Sequence, residues 1–564
     1  MAVGVAVSSA LAPGAASAHA YLVRTAPAAS GILNAPPATV ALSFDEAVEP
    51  RFAIISVTDA RGAQETTRSA RRSAADPDTL LASLRPGLPQ GWYLVYWRAI
   101  SVDGHPVQGA YTYAVGPNPG PAPQFSVPSV SSTAVTPALL VTRWIMFLSV
   151  MSAIGLLVLR LIIARPAPGS LRALTRASIA AAVIGLIAIP VYLDVAIAED
   201  SLRSVFDLGA LVPLYRVTAF GRGYVDLEIC FALFAIAAGI AVWVDRPDRP
   251  RRSLAELAAG TGVLATIAAV LLVPPSIGHA SQTSPRGLSV AFDAVHLLAG
   301  SVWVGGLIGL LVVWAAAGPQ RRVAVLGIVV PRFSAVALTA VIVLLASGTG
   351  STVVHMPAVN ALWDTSYGVA ILVKIGLLTF AVLLASGNLL RTRPRLAAAR
   401  ADPEQAAGAA RLLRRLVGGE AFVVAGAVFT AAVLSSLAPP PPAFALADSA
   451  LAHVGPGRVA ASVTRAGYRL QVLVAPNKAA APDDFALRIT HGGVPVRGAT
   501  VTLAFNHLQM EMPQQNYALP EVAPGVYRRS APALIMVGPW SLAFAIAPPG
   551  GRPFNALIVD QADG

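Results

Sequence analysis

Three observations predict a multi-domain chain in which an α-helical bundle of about eight membrane spans lies between two small all-β domains. Eight apolar stretches of roughly bilayer-crossing length fill the middle, near 138–163, 177–198, 223–244, 254–273, 290–314, 333–350, 368–390 and 418–438. Short alternating or β-branched runs, broken by Gly, Pro and Asp, occupy both ends. Two Pro-rich stretches, 117–137 and 439–464, separate the regions as semi-extended tethers. Composition agrees: 55% of the 564 residues are hydrophobic and 12% are charged, which suits a multi-span membrane protein with room for water-facing domains. The net charge of +12 comes almost wholly from Arg, Lys374 and Lys478 being the lysines. Most of the membrane-region Arg falls in short interhelical loops, so the charge is not read as nucleic-acid binding. Cys230 is the single cysteine, which excludes an intrachain disulfide and a CxxC metal site.

Residues 1–18 end in Ala16-Ser17-Ala18, a small-residue cleavage pattern of a secretory signal, although the usual basic segment is missing. Cleavage there makes His19 the mature terminus, where an amine and its own imidazole can hold one metal together. Residues 19–116 read as an all-β domain, with ATVALSFDEAV, FAIISVTDA and GWYLVYWRAI as strands. Near its end, Asp103 and His105 stand two apart and can point the same way. An amine, two imidazoles and a carboxylate form an N,O set that suits tetragonal Cu(II). The competing reading makes DGHP simply a tight turn.

The segments HAYLVRTAPAASGILNAPPATVALSFDEAVEP and YWRAISVDGHPVQGAYTYAVG strongly resemble the CopC family of extracytoplasmic copper-binding proteins. The resemblance implies a small β-sandwich that binds Cu(II) through His19, Asp103 and His105. Residues 19–125 contain no Met, so the Met-rich Cu(I) site of some members is missing and the domain is expected to bind Cu(II) alone.

In the membrane region (138–438), the loops after spans 1, 3, 5 and 7 hold Arg165, Arg172, Arg176, Arg246, Arg249, Arg251, Arg252, Arg321, Arg322 and Arg332. The last of them adds Arg391, Arg393, Arg395, Arg400, Arg411, Arg414 and Arg415, whereas the alternate loops hold only Arg203, Arg216, Arg222 and Arg286. The positive-inside rule makes the first set cytoplasmic and places both termini and both β-domains outside the plasma membrane.

The fifth span opens with VAFDAVHLLAGSVWVGG, residues 290–306, where Asp293 and His296 are three apart on one helical face. Ionisable groups at such depth are costly and usually face a bundle interior where ions or protons move. Glu228 and Lys374 lie at comparable depth from the same side, and either compensate one another or join an ion path. His279 closes span 4, His355-Met356 follows span 6 in a short loop, and Arg143 and Met146 lie near the outer end of span 1. This cluster reads either as an ion entrance, with His279, Asp293, His296, His355 and Met356 as the copper path, or as a hydrogen-bonded plug. GHA, FDAVHLLAGSVWVGGL, PRFS and GVAILVKIGLLTFAVLLASGNLL resemble the CopD family of copper-resistance membrane proteins. That likeness implies copper moving inward after delivery from a CopC-like partner, here fused in the same chain.

The C-terminal domain, residues 465–564, shows YRLQVLVAP, FALRIT, ATVTLAF and WSLAFAI as strands with HGGVPVRGA as a turn, and resembles small YtkA/FixH-like β-domains. His507, Met510 and Met512, with Met536 in reserve, form a candidate Cu(I) set. Met packed into a β core is the commoner arrangement, and on a regular strand His507 points away from the two Met.

The combined expectation is a non-enzymatic copper-handling membrane protein serving uptake, homeostasis or resistance, with copper ions and the lipid bilayer as partners. A copper-presenting assembly factor or sensor is the first alternative, with a chaperone or cuproenzyme as its unidentified partner. A haem-containing electron-transfer protein is the second. No GxxxxGK[ST] motif occurs, which argues against an ATP-driven pump.

Overall fold

The computed structural model describes residues 22–563 apart from 29–30, 45–47, 49, 101–105, 121–135, 202, 283–284, 398–402, 438, 441–443, 448, 480–481, 509–514, 532 and 536. These residues form two compact units, one helical and one built from the β regions at both ends of the chain.

The N-terminal sandwich has strands β1 (Leu22–Ala26), β2 (Ile32–Leu33), β3 (Thr39–Phe44), β4 (Ile54–Asp59), β5 (Arg71–Arg72), β6 (Thr79–Ser83), β7 (Gly91–Ile100) and β8 (Pro106–Val115). One sheet runs β1-β3-β6-β5 and the other β2-β8-β7-β4. The alternation in TVALSF turns Val40, Leu42 and Phe44 into the core, where Phe44 meets Trp97 edge-on at 5.4 Å. β7 and β8 pair without interruption from Gly91↔Val115 to Ile100↔Pro106. Asp103 and His105 belong to the five residues joining them and, like His19, lie outside the described residues.

The helical unit contains eight helices long and apolar enough to cross a membrane: α1 (Pro137–Ile163), α2 (Leu171–Ser201), α3 (Phe220–Val244), α4 (Leu254–Ile277), α5 (Arg286–Ala316), α6 (Pro319–His355), α7 (Ser366–Leu396) and α8 (Gln405–Leu434). Their most apolar windows are 67% buried in α1 and 61% in α5, against 22–33% in the other six. The pair α1 and α5 is therefore the centre, and α5 packs against α1, α2, α4, α6 and α8. The outer helices leave Ile187, Leu264, Ile342, Leu383 and Phe422 exposed, a surface suited to hydrocarbon and not to water. At the central crossing, a Cβ added to Gly305 would lie 2.4 Å from the Gly155 Cα, so these backbones touch where only glycine fits.

Several helices run beyond their apolar stretches. α8 begins at Gln405, which puts Arg411, Arg414 and Arg415 on a helix, and α6 begins at Pro319, which does the same for Arg321, Arg322 and Arg332. Hydropathy marks the bilayer-crossing part only, while Ala, Arg, Gln and Leu continue a helix readily past it. Arg322 and Arg414 both stack on the Trp314 ring, at 4.0 and 4.9 Å. At the same end, Asp245 accepts from Arg160 at 2.5 Å and Arg165 at 3.1 Å, and Arg165 also reaches Glu256 at 2.8 Å. Glu256 closes a capping box with Ser253 at the start of α4.

The C-terminal sandwich comprises β9 (Ala452–Val454), β10 (Val459–Arg465), β11 (Tyr468–Ala475), β12 (Asp483–His491), β13 (Val494–Pro495), β14 (Thr500–His507), β15 (Gln515–Ala518), β16 (Glu521–Ala523), β17 (Val526–Ala531), β18 (Gly538–Ala547) and β19 (Phe554–Ala562). Its sheets run β10-β11-β12-β17-β16, with β13 on β12, and β15-β14-β18-β19-β9. Phe485, Phe505, Tyr527, Trp540 and Phe544 fill the space between them. The strands expected from sequence appear as β11, β12, β14 and β18. The stretch 439–464, read as a tether, already carries β9 and most of β10, so ordered structure starts before residue 465. These strands are short and gain their partners from β19 and β11, which a local pattern cannot reveal.

Candidate functional site

The polar groups of α5, α6 and α7 meet at one end of the bundle. Asp293 and His296 lie in the first third of α5, while Ser347, Ser351 and His355 occupy successive turns at the close of α6. The four-residue spacing of the α6 residues sets both hydroxyls opposite the α5 pair. Ser351 Oγ donates to Asp293 Oδ1 at 2.8 Å, and His296 Nδ1 lies 3.1 Å from Ser347 Oγ. Gly348 makes the second contact possible, because a Cβ there would come 3.2 Å from the His296 ring.

The hydrogen bonds fix the tautomer of His296. Ser347 spends its proton on the Val343 carbonyl at 2.6 Å, so its oxygen accepts from the ring and Nδ1 carries the hydrogen. The Nε2 lone pair then points to Lys374 Nζ on α7, 3.3 Å away. His355 donates from Nδ1 to the Ser351 carbonyl at 2.7 Å, which links it to the same serine. The result is a partnered set of carboxylate, imidazole, ammonium and two hydroxyls, as ionisable groups inside a bilayer require. Lys374 holds the one imidazole lone pair that a metal would use.

Other expected groups stand elsewhere. His355 is the last residue of α6 and is buried, not part of the loop, whereas Met356, its C-cap, opens the short non-helical connection that follows. His279 begins a short helix, His279–Gln282, but its side chain is outside the description. Glu228 and Lys374 form no ion pair: Lys374 contacts His296, while one buried Glu228 oxygen has no hydrogen-bond partner. Arg143 ties three helices together through the Tyr192 hydroxyl, the Ala432 carbonyl and Ser436. Among the described residues, no three His, Cys, Asp or Glu gather into a metal-sized group.

Two features escaped the sequence reading. Ser347 and Ser351 were legible only as the S-x3-S-x3-H spacing of α6. Deeper along α5, Trp303 Nε1 donates at 2.9 Å to Glu420 of α8, a buried carboxyl whose span looked uniformly apolar.

In the C-terminal sandwich, His507 ends β14 with its ring buried edge-on against Trp540 at 4.9 Å. Nε2 donates to the Val537 carbonyl at 3.3 Å, and burial pushes the imidazole down to about 4. Met510, Met512 and Met536 lie outside the described residues.

Eight helices long and apolar enough to cross a membrane, with a buried histidine–lysine–aspartate cluster and a small β-sandwich ahead of them in the chain, define a multi-span membrane protein. Residues 22–116 match the CopC domain and residues 327–434 match copper resistance protein D, so both matches lie in one chain, which belongs to the CopC family through its N-terminal sandwich. The second match contains Ser347, Ser351, His355, Met356 and Lys374, while Asp293 and His296 precede it. Over 537 residues, 93% of this chain and 92% of the relative, it is 27% identical to "Copper transport protein CutJ" of Bacillus subtilis (strain 168). It is 34% identical to "Copper resistance protein C" of Pseudomonas syringae pv. tomato over 18% of this chain and 82% of that one. A crystal structure of CopC from Methylosinus trichosporium OB3b aligns at 33% identity, covering 19% of this chain and 99% of that chain, with a TM-score of 0.16.

Proposed function

We propose that the chain captures Cu(II) outside the cytoplasmic membrane and passes copper to its own helical bundle, in the service of copper uptake and homeostasis. The observation that carries this reading is the fusion itself: a CopC sandwich and a CopD bundle in one chain, with an imidazole poised among α5, α6 and α7. The name of the Bacillus relative, a copper transport protein, supports the same direction. The Cu(II) ligands are the His19 amine and imidazole, Asp103 and His105, an N,O set suited to tetragonal Cu(II). In the bundle, copper meets His296 at Nε2 once Lys374 withdraws, with Asp293 as its counter-charge and His279, His355 and Met356 along the approach. The set His507, Met510 and Met512 would offer Cu(I) a third station in the C-terminal sandwich. Both β-domains stand on the outer side, as the Arg distribution supports.

The deciding experiment measures Cu(II) binding by the purified protein together with its mature terminus. One tetragonal, nitrogen-rich Cu(II) is expected in a protein beginning at His19. One extra residue ahead of His19, or His105→Ala, should weaken it by orders of magnitude, and acid should release the metal as amine and imidazoles protonate. Unchanged affinity in the extended protein would remove the terminal amine from the site.

A further inference from the structure

A second polar cluster, far along the sequence from the helices, is buried in the C-terminal sandwich. Asn477, Asp483 and Asp560 are each fully buried. Asn477 follows β11 with a φ of 65°, a left-handed conformation that Asn tolerates better than most residues, and this turns its main chain and side chain toward different carboxylates. Its backbone N–H donates to Asp483 Oδ1 at 2.6 Å, and the next N–H, of Lys478, donates to the same oxygen at 3.0 Å. Its side-chain Nδ2 donates to Asp560 Oδ1 at 3.0 Å and to the carbonyls of Gly457 at 2.9 Å and Gln561 at 3.2 Å. Asn477 is thus held between the two carboxyl groups, one at the start of β12 and one within β19.

Three oxygens are left over. Asp483 Oδ2, Asp560 Oδ2 and Asn477 Oδ1 are shielded from water and accept no hydrogen bond. Neither Asp pairs with a Lys or Arg among the described residues. Unsatisfied buried acceptors are destabilising, and more so when charged. Three in one cluster point to a missing positive group. We propose that Asn477, Asp483 and Asp560 form a binding site for one hard divalent cation of the Ca²⁺ class, which closes the β11–β12 connection onto β19. Two carboxylates, an amide oxygen and nearby main-chain carbonyls are the ligand types such an ion takes. No thiolate, thioether or imidazole joins the cluster to favour copper.

The test is equilibrium dialysis of the full-length, chelator-treated protein in detergent against Ca²⁺, with metal content and limited proteolysis of the C-terminal sandwich read together. One Ca²⁺ per chain is expected, accompanied by slower proteolysis of that domain. Asp560→Asn should weaken binding at least tenfold. Asn477→Gly, which keeps the left-handed backbone and deletes only the side chain, should also weaken it and guards against a folding defect in the first variant. Failure to bind Ca²⁺ at millimolar concentration, or binding that survives Asp483→Asn combined with Asp560→Asn, would overturn the site and leave two carboxyls kept neutral by a proton. Cu(II) binding at the N-terminal domain is unaffected in either outcome, which separates this test from that of the copper reading.

Discussion

On the proposed copper path, Lys374 and copper compete for the same electron pair on His296. The 3.3 Å contact of Lys374 Nζ with Nε2 occupies the position a metal would take. Replacing Lys374 by Leu removes the rival without adding or removing a ligand. We expect Lys374→Leu to raise copper retention by the purified protein, and His296→Ala and His296→Gln each to lower cellular copper at normal membrane abundance. Met356→Leu should give a smaller loss. Copper accumulation in His296→Ala equal to that of the parent would place the path elsewhere. A different kind of residue effect belongs to His507. Its folded value, about 4, lies below the roughly 6.5 of a free imidazole, so the neutral ring is favoured in the fold. The sandwich therefore loses stability as pH falls from about 6.5 toward about 4, by up to roughly 3 kcal/mol in all. Comparing proteolysis of the domain in the parent and in His507→Gln across that range isolates this loss, and the acid limb should flatten in the variant.

At the scale of elements, the α1–α5 crossing sets the geometry of the bundle. A side chain at Gly305 meets the backbone of Gly155, which cannot move aside as a side chain can. Gly305→Leu should cost about 1–3 kcal/mol or more and lower the amount of folded protein in the membrane, while Gly239→Leu, in open space, should not. An abundance of Gly305→Leu equal to the parent's would show that the two backbones are not in contact. Much of this architecture was legible beforehand: apolar length gave eight spans, and alternation gave β3, β4, β7, β11, β12, β14 and β18. What stayed hidden depends on partners distant in sequence. Ser347 and Ser351 look like ordinary small residues of a transmembrane helix until α5 supplies Asp293 and His296. β9 is three residues long and exists because β19 pairs with it. Asn477, Asp483 and Asp560 span more than eighty positions, and only folding brings them to one place.

At the scale of the whole molecule, charge decides orientation. The Arg-rich end of the bundle is partly neutralised from within, since Arg160 and Arg165 are paired with Asp245 and Glu256. The remaining excess still favours one side. Reporter fusions at Pro247, Gly318 and Ala401 should behave as cytoplasmic, and fusions at Gly209, Ser281 and Ala358 as external. An external signal from Ala401 would overturn the eight-span topology, because an even number of spans with both ends outside allows no other placement of that loop.

The contact between Gly155 and Gly305 also bears on how such a bundle can work as a machine. Two helices locked backbone to backbone cannot ratchet or roll past each other without opening a gap along their whole length. His296 lies on one of these two helices, whereas its partners Ser347 and Lys374 lie on α6 and α7, whose most apolar windows are only 33% and 22% buried. On the proposed copper path, the imidazole therefore sits on the helix held at the α1–α5 crossing. Lys374 reaches Nε2 from α7 across 3.3 Å, so displacement of that one side chain is enough to free the lone pair, with no sliding of α5 against α1.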